Sequence, residues 1–427
     1  MLKLRYEANA TLERQVEAGA RQLARILERG VEQGIVRIAA YPRLDSIVSG
    51  AVLFTGASLL GARPVFNVGV EPPEYIDVPS IVLGHPNIAY KTGDVDAPLI
   101  AFSPRIPAGP PPDTVFIEGD ASTAGLVAAT LIAYGGVLAR RDLLSLLVAS
   151  LYYGGKADIK GRFYGVDAAV IDSLLSSSLL EIEIIPMLKA YEPNQHSVCE
   201  SISVTSNPYY PMLTGDVDEC KSTLSANGLS EVVGKRLVDL DDRTLEKVVV
   251  SILSRVQGEV KREVDPAYYY GNIILSKPGH PLEDYRMGGD VLLHTIDSLG
   301  LGALLSLTCN FELEYPVSKR NLVDYASKIR ALVEEARPKR LKTASWFRAY
   351  TVNASVRDSL TLLSGALRLQ GLLDNDAIIS VDDGGEYIVS GLQVEEALGY
   401  GSLKRLVDVK ILEEYEDGVF FRIARRE

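Results

Sequence analysis

The chain is poor in the residues that build disulfide frameworks, metal centres and membrane spans. It holds three cysteines, four histidines and one tryptophan in 427 residues. Cys199, Cys220 and Cys309 are odd in number and widely spaced. That argues against a disulfide framework and against a zinc knuckle. Thiols without a framework place the chain in the cytosol. No apolar run reaches the length of a membrane span. The N-terminus is charged and amphipathic, unlike a signal peptide. Basic excess is missing too, because 44 Lys and Arg face 56 Asp and Glu, for a net charge of −12. This excludes the global basic field of a sequence-indifferent duplex binder. It leaves room for a local basic groove, and it suits a protein that docks on other proteins.

What is present is ordinary globular composition, with 47% hydrophobic and 23% charged residues. The length implies two or three domains. Leu12, Val16, Leu23, Ile26, Leu27 and Val31 form a helical stripe. Short apolar runs bounded by Gly and Pro then predict buried parallel strands at Ile35–Ala40, Pro64–Val70, Ser80–Leu83, Leu99–Phe102 and Thr114–Ile117. A helix over Ser46–Leu60 follows the first strand, and several of the other strands are joined by loops alone. Asp120–Ser122 caps a helix at Thr123–Tyr134. Further helices are expected at Arg140–Tyr153, Gly165–Leu180 and Arg243–Val264, the last capped by Asp241 or Asp242. In the second half, Asn272–Leu275 and Ala303–Thr308 read as strands, and Gly289–Leu299 and Lys319–Ala336 as helices. The last ninety or so residues mix strands and helices. The fold class is α/β, in three parts: residues 1–190, a helical connection at 191–264, and a smaller α/β unit at 265–427.

The densest signal is RIAAYPRLDSIVSGAVLFTGASLLG, Arg37–Gly61. A strand runs into a polar tip and a small-residue helix leaves it, the place where open α/β sheets build chemistry. Only one carboxylate, Asp45, stands there, and its plain alternative role is to cap the helix that follows.

This tip resembles the first motif of the DHH phosphoesterase superfamily, with Tyr41, Arg43, Asp45 and Ser46 in its His, Asp, Asp and Gly positions. Other segments are similar to the family in the same order. They are GDASTAGLVAATLIAYGG (Gly119–Gly136), TSNPYYPMLTGDVDEC (Thr205–Cys220), LVDLDDRTLEKVV (Leu237–Val249) and EDYRMGGDVLLHTIDSLGLGALLSL (Glu283–Leu307). NASVRDSL (Asn353–Leu360) and DGGEYIVSGLQV (Asp383–Val394) follow. The resemblance implies a DHH-type domain with a mainly parallel sheet, followed by a DHH-associated C-terminal domain. In the second of the two C-terminal signatures, Gly384, Gly385 and Gly391 remain and Glu386 replaces a histidine.

DHH enzymes hold two divalent ions, usually manganese, with clustered aspartates and histidines. Here Tyr41 and Arg43 replace two ligands, His85 follows the second-motif strand, Phe102-Ser103-Pro104 stands for the DHH triplet, and Lys156 lies nearest the fourth aspartate position with Asp158 displaced. A guanidinium cannot ligate a metal. The resemblance therefore implies an inactivated RecJ-like protein without a cofactor, similar in role to the replisome factor cell division cycle protein forty-five. It implies the GINS complex and the MCM helicase as partners, single-stranded DNA as a further one, and no membrane. The alternative is a manganese-dependent exonuclease or phosphodiesterase in which Asp45, His85, Asp158 and Asp94 or Asp96 converge. A lone single-strand binder is a third reading.

Arg43 and Lys156 are candidate strand contacts, as are Lys339, Arg340, Lys342, Trp346 and Arg357. The bland reading of the basic cluster Lys339–Arg348 is a solvated turn. Gly384, Gly385, Glu386 and Gly391 form either a ligand loop or a turn. His85 and His280, each in Gly-His-Pro, read as turn residues, and His196 and His294 lack ligand spacing. Tyr268, Tyr269 and Tyr270 either stack bases or pack at a domain junction.

Overall fold

A computed structural model describes residues 10–86, 88, 90, 93–103, 114–117, 120–260, 263–277, 279–341 and 347–424. In chain order, the N-terminal part contains α1 (Ala10–Gln33), β1 (Val36–Ala40), α2 (Leu44–Leu59), β2 (Pro64–Val68), β3 (Ser80–Leu83), β4 (Leu99–Phe102) and β5 (Thr114–Ile117). Then come α3 (Thr123–Tyr134), α4 (Arg141–Leu151) and α5 (Gly165–Leu175). The five strands form one sheet in the order β2-β1-β3-β4-β5, every pair parallel. β3 and β4 are buried along their whole length, as expected of strands whose apolar runs do not alternate. α2 is buried on nearly all sides, which its small residues allow, because backbones approach closely where side chains are short.

The middle of the chain contributes β6 (Ile182–Leu188), α6 (Val198–Ser203), α7 (Val217–Ala226), α8 (Asp242–Glu259) and β7 (Tyr270–Ser276). β6 and β7 form an antiparallel ribbon. Asp241 caps α8 by accepting from the Thr244 amide. α6 and α7 carry Cys199 and Cys220 in a separate apolar core with Val198, Leu224 and Val248. The two cysteines form a disulfide, with Cα atoms 5.4 Å apart. This corrects the reading of unpaired thiols: widely spaced cysteines meet because two helices pack against each other, which linear spacing does not show.

The last part contains α9 (Tyr285–Leu299), α10 (Leu301–Cys309), α11 (Phe311–Glu335), β8 (Lys339–Arg340), β9 (Ala349–Thr351), α12 (Leu360–Leu369), β10 (Ile378–Asp383) and β11 (Glu386–Ser390). It ends with α13 (Gly391–Leu398), α14 (Ser402–Asp408), β12 (Leu412–Glu416) and β13 (Phe420–Ile423). Its six strands run in the order β12-β13-β11-β10-β9-β8. Ala303–Thr308, expected as a strand, lies inside helix α10. Short apolar runs do not separate helix from strand, and a run of Leu and Ala favours helix once neighbouring helices cover it. α10 packs against α2, α9 and α11, and one continuous apolar core joins α2, α4, α9, α11 and α12. None of the described helices is long and apolar enough to cross a membrane.

Candidate functional site

β1 delivers the chain to the tip, where the Tyr41 amide donates to the Leu83 carbonyl of β3. Asp45 follows in the first turn of α2 and is fully buried. It does not cap that helix. Arg43 occupies the N-cap position with no side-chain cap bond, and Oδ2 of Asp45 instead accepts from the Thr123 amide at 2.8 Å. The carboxylate therefore sits on the N-terminus of α3, 78 positions away, where unpaired amides and the helix dipole favour an anion. Ser122 caps α3 by accepting from the Gly125 amide, and its own amide donates to Oδ1 of buried Asp167 at 3.0 Å. Burial pushes the Asp167 carboxyl up to about 7, against the hydrogen bonds from Ser122 and with help from the nearby Asp45 charge.

Arg43 is the counter-ion of Asp45, with Nε 3.3 Å from Oδ1. Its guanidinium also lies over the Tyr400 ring, 4.8 Å from the centroid. Burial works against this charge, but Asp45 and Glu395 outweigh it and hold the guanidinium above its ordinary pKa. Tyr41 is buried and donates to Oε1 of Glu395 at 2.8 Å. Glu395 also accepts from the amides of Gly401 and Leu403. His85 packs edge-on against Tyr41, ring centroids 5.7 Å apart, and burial pulls its pKa down to about 4. It is a neutral packing residue.

Arg43, Lys156, Asp158 and Glu395 line one cleft of about 900 Å³ between the N- and C-terminal parts. Lys156 pairs with Asp120. Asp158 organises its own turn by accepting from the amides of Lys160 and Arg162 and from the Tyr164 hydroxyl. Burial works against the Asp158 charge, but hydrogen bonds from Arg162 and Tyr164 outweigh it and bring the carboxyl down to about 2. Asp290 of α9, also lining the cleft, accepts from the hydroxyls of Tyr153 and Tyr191 and from Asn207 Nδ2. Arg286 lies 3.6 Å from it and over the Tyr191 ring.

The other sequence candidates lie elsewhere. Lys339 and Arg340 are exposed on β8, and Arg357 pairs with Glu416 at 3.0 Å. Lys342 and Trp346 lie outside the described residues. Gly384 and Gly385 have φ of +63° and +91° and make the β10–β11 hairpin turn, a geometry that favours glycine. Glu386 pairs with Arg422 at 3.0 Å. Gly391 opens α13. Asp94 and Asp96 flank the isolated bridge between Ile76 and Val95, away from the cleft lining. His280 accepts from or donates to Leu282, His196 contacts Glu192, and His294 contacts Ser298. Tyr268 lines the cleft and Tyr269 is buried.

The sequence reading passed over Asp167, Asp290, Glu395 and Tyr400. For Asp167 and Asp290 a signal existed: carboxylates in otherwise largely apolar helices. Asp290 and Asp297 stand seven apart, on one face of α9, and buried Asp297 accepts from Ser390 Oγ and the Thr361 amide.

The residues at the tip do not fit a pair of divalent cations. Such ions need several clustered oxygen ligands. Both Asp45 oxygens already face Thr123 and Arg43, a guanidinium stands beside them, and among the described residues no three His, Cys, Asp or Glu side chains converge.

No protein-family model matches the chain, and no curated protein matches it by sequence. Among solved structures it is similar to RecJ of Thermus thermophilus in complex with Mn2+, at 12% identity and TM-score 0.40, over 96% of this chain and 52% of that one. It is also similar to CDC45 from Entamoeba histolytica, at 10% identity and TM-score 0.59, over 95% of both chains. The chain has an α/β fold with an all-parallel five-stranded sheet, and it shares the fold of CDC45 from Entamoeba histolytica along nearly its whole length.

Proposed function

We propose that this chain is a non-catalytic scaffold of the replicative helicase, which binds the GINS complex and supports the MCM ring. The observation that carries the reading is the Arg43–Asp45 ion pair. It puts a fixed positive charge against the one carboxylate left at the first-motif tip, and two-metal hydrolysis needs a cluster of oxygen ligands there. The shared fold with CDC45 supports the reading, as does the net charge of −12, which suits docking on other proteins. Single-stranded DNA is a further partner. Arg43 and Lys156 line the cleft proposed to take it, and Lys339, Arg340 and Arg357 are proposed as contacts away from that lining. The proposed units are a DHH-like domain at 1–190, a connection at 191–264 and a DHH-associated domain at 265–427. Size-exclusion chromatography of the purified chain with GINS and MCM tests the proposal. Co-elution as one complex is expected, and separate elution at micromolar concentrations contradicts it.

A further inference from the structure

The residues that replaced the metal ligands are not idle. Tyr41 reaches out of the N-terminal part and enters the apolar core of the C-terminal one, with Phe347, Ala349, Val389 and Leu403. Its hydroxyl donates to Glu395 and accepts from the Lys404 amide. Arg43 stacks on Tyr400, whose own hydroxyl donates to the Gly84 carbonyl at 2.9 Å. Lys404 pairs with Glu71 at 2.5 Å. The β12–β13 turn closes in behind: Gly418 has φ of +66°, and a Cβ there would run into the Val68 carbonyl. Domains joined by small polar contacts move relative to one another, whereas a large apolar junction holds them. Here the junction is apolar at its centre, and its buried polar groups Tyr41 and Glu395 satisfy each other.

We infer that the former ligand positions form a lock, in which Tyr41 and Arg43 clamp Glu395 and Tyr400 and hold the cleft at a fixed width. At the tip the chain ties its N- and C-terminal parts together. The lock is read from contacts within the chain and stands whichever partner the protein has.

Pulsed electron paramagnetic resonance on the full chain tests this, with nitroxides at Ile159→Cys, on the cleft lining, and Leu372→Cys, just beyond the helix whose Leu369 lines it. Cys309→Ser removes the described free thiol. One narrow distance distribution is expected, unchanged by an oligo-dT strand. Tyr41→Phe with Glu395→Gln is expected to broaden it. Hydrogen exchange of the Gly401, Leu403 and Lys404 amides should quicken about tenfold in Tyr41→Phe, in line with the loss of a hydrogen bond to a charged acceptor. Lys404→Met, which removes the pairs with Glu71 and Asp408 and leaves the Tyr41–Glu395 bond in place, is the milder second variant and should broaden the distribution less. A broad wild-type distribution, a shift on adding oligo-dT, or distances and exchange unchanged in every variant overturns the lock.

Discussion

The Tyr41 hydroxyl donates across 2.8 Å to a carboxylate 354 positions further along, that of Glu395. Tyr41 stands where a metal-ligating histidine is expected, and Glu395 lies in the first turns of α13. Tyr41 thus joins the N- and C-terminal parts of the chain, and the buried Arg43–Asp45 ion pair lies beside it.

Arg43 is the counter-ion of a fully buried carboxylate. Arg43→Met should therefore lower stability by about 3 kcal/mol, the cost of stranding a buried charge. Asp45→Asn added to Arg43→Met should recover a good part of that loss. Urea unfolding of the two single variants and the double variant measures the coupling.

Asp167 and His85 act on pH dependence in opposite directions. The folded pKa of Asp167 is raised to about 7, so its contribution is complete below about 4 and is lost as pH rises towards 7. The folded pKa of His85 is lowered to about 4, so its contribution is complete above about 6.5 and is lost as pH falls. Between about 4 and 6.5 the two slopes oppose each other. Asp167→Asn keeps an acceptor for the Ser122 amide and removes one of them. Its stability should rise with pH across that window, by roughly 1.4 kcal/mol per unit relative to the parent chain. Denaturant melts at several pH values read this directly.

The Cys199–Cys220 disulfide closes a loop of 21 positions. Opening it with reductant, or with Cys220→Ser, should lower stability by about 3 kcal/mol through the entropy returned to the unfolded chain. The effect should centre on α6–α8, where the pair is buried. Hydrogen exchange with and without reductant locates it.

Much of the fold was legible because apolar runs bounded by Gly and Pro mark buried strands directly. Val36–Ala40, Ser80–Leu83, Leu99–Phe102 and Thr114–Ile117 all fall where the pattern puts them. Ala303–Thr308 was not, because a six-residue apolar run carries no period of its own and its neighbours decide its state. At the site, Arg43 was legible as a positive charge beside Asp45. Its partners were not: Tyr400 lies over 350 positions away in the chain, and Asp45 bonds to α3, not to the helix it begins. Such contacts depend on how the elements pack, which local spacing does not encode. The disulfide escaped for the same reason.

The Arg43–Asp45 pair makes the tip between β1 and α2 a structural junction in place of a metal centre. The most direct measurement incubates the purified chain with end-labelled single-stranded DNA and millimolar manganese, beside an Asp45→Asn variant. No cleavage above the metal-free control is expected, with the same result for both proteins. Manganese-dependent cleavage by the parent chain that disappears in Asp45→Asn would contradict it.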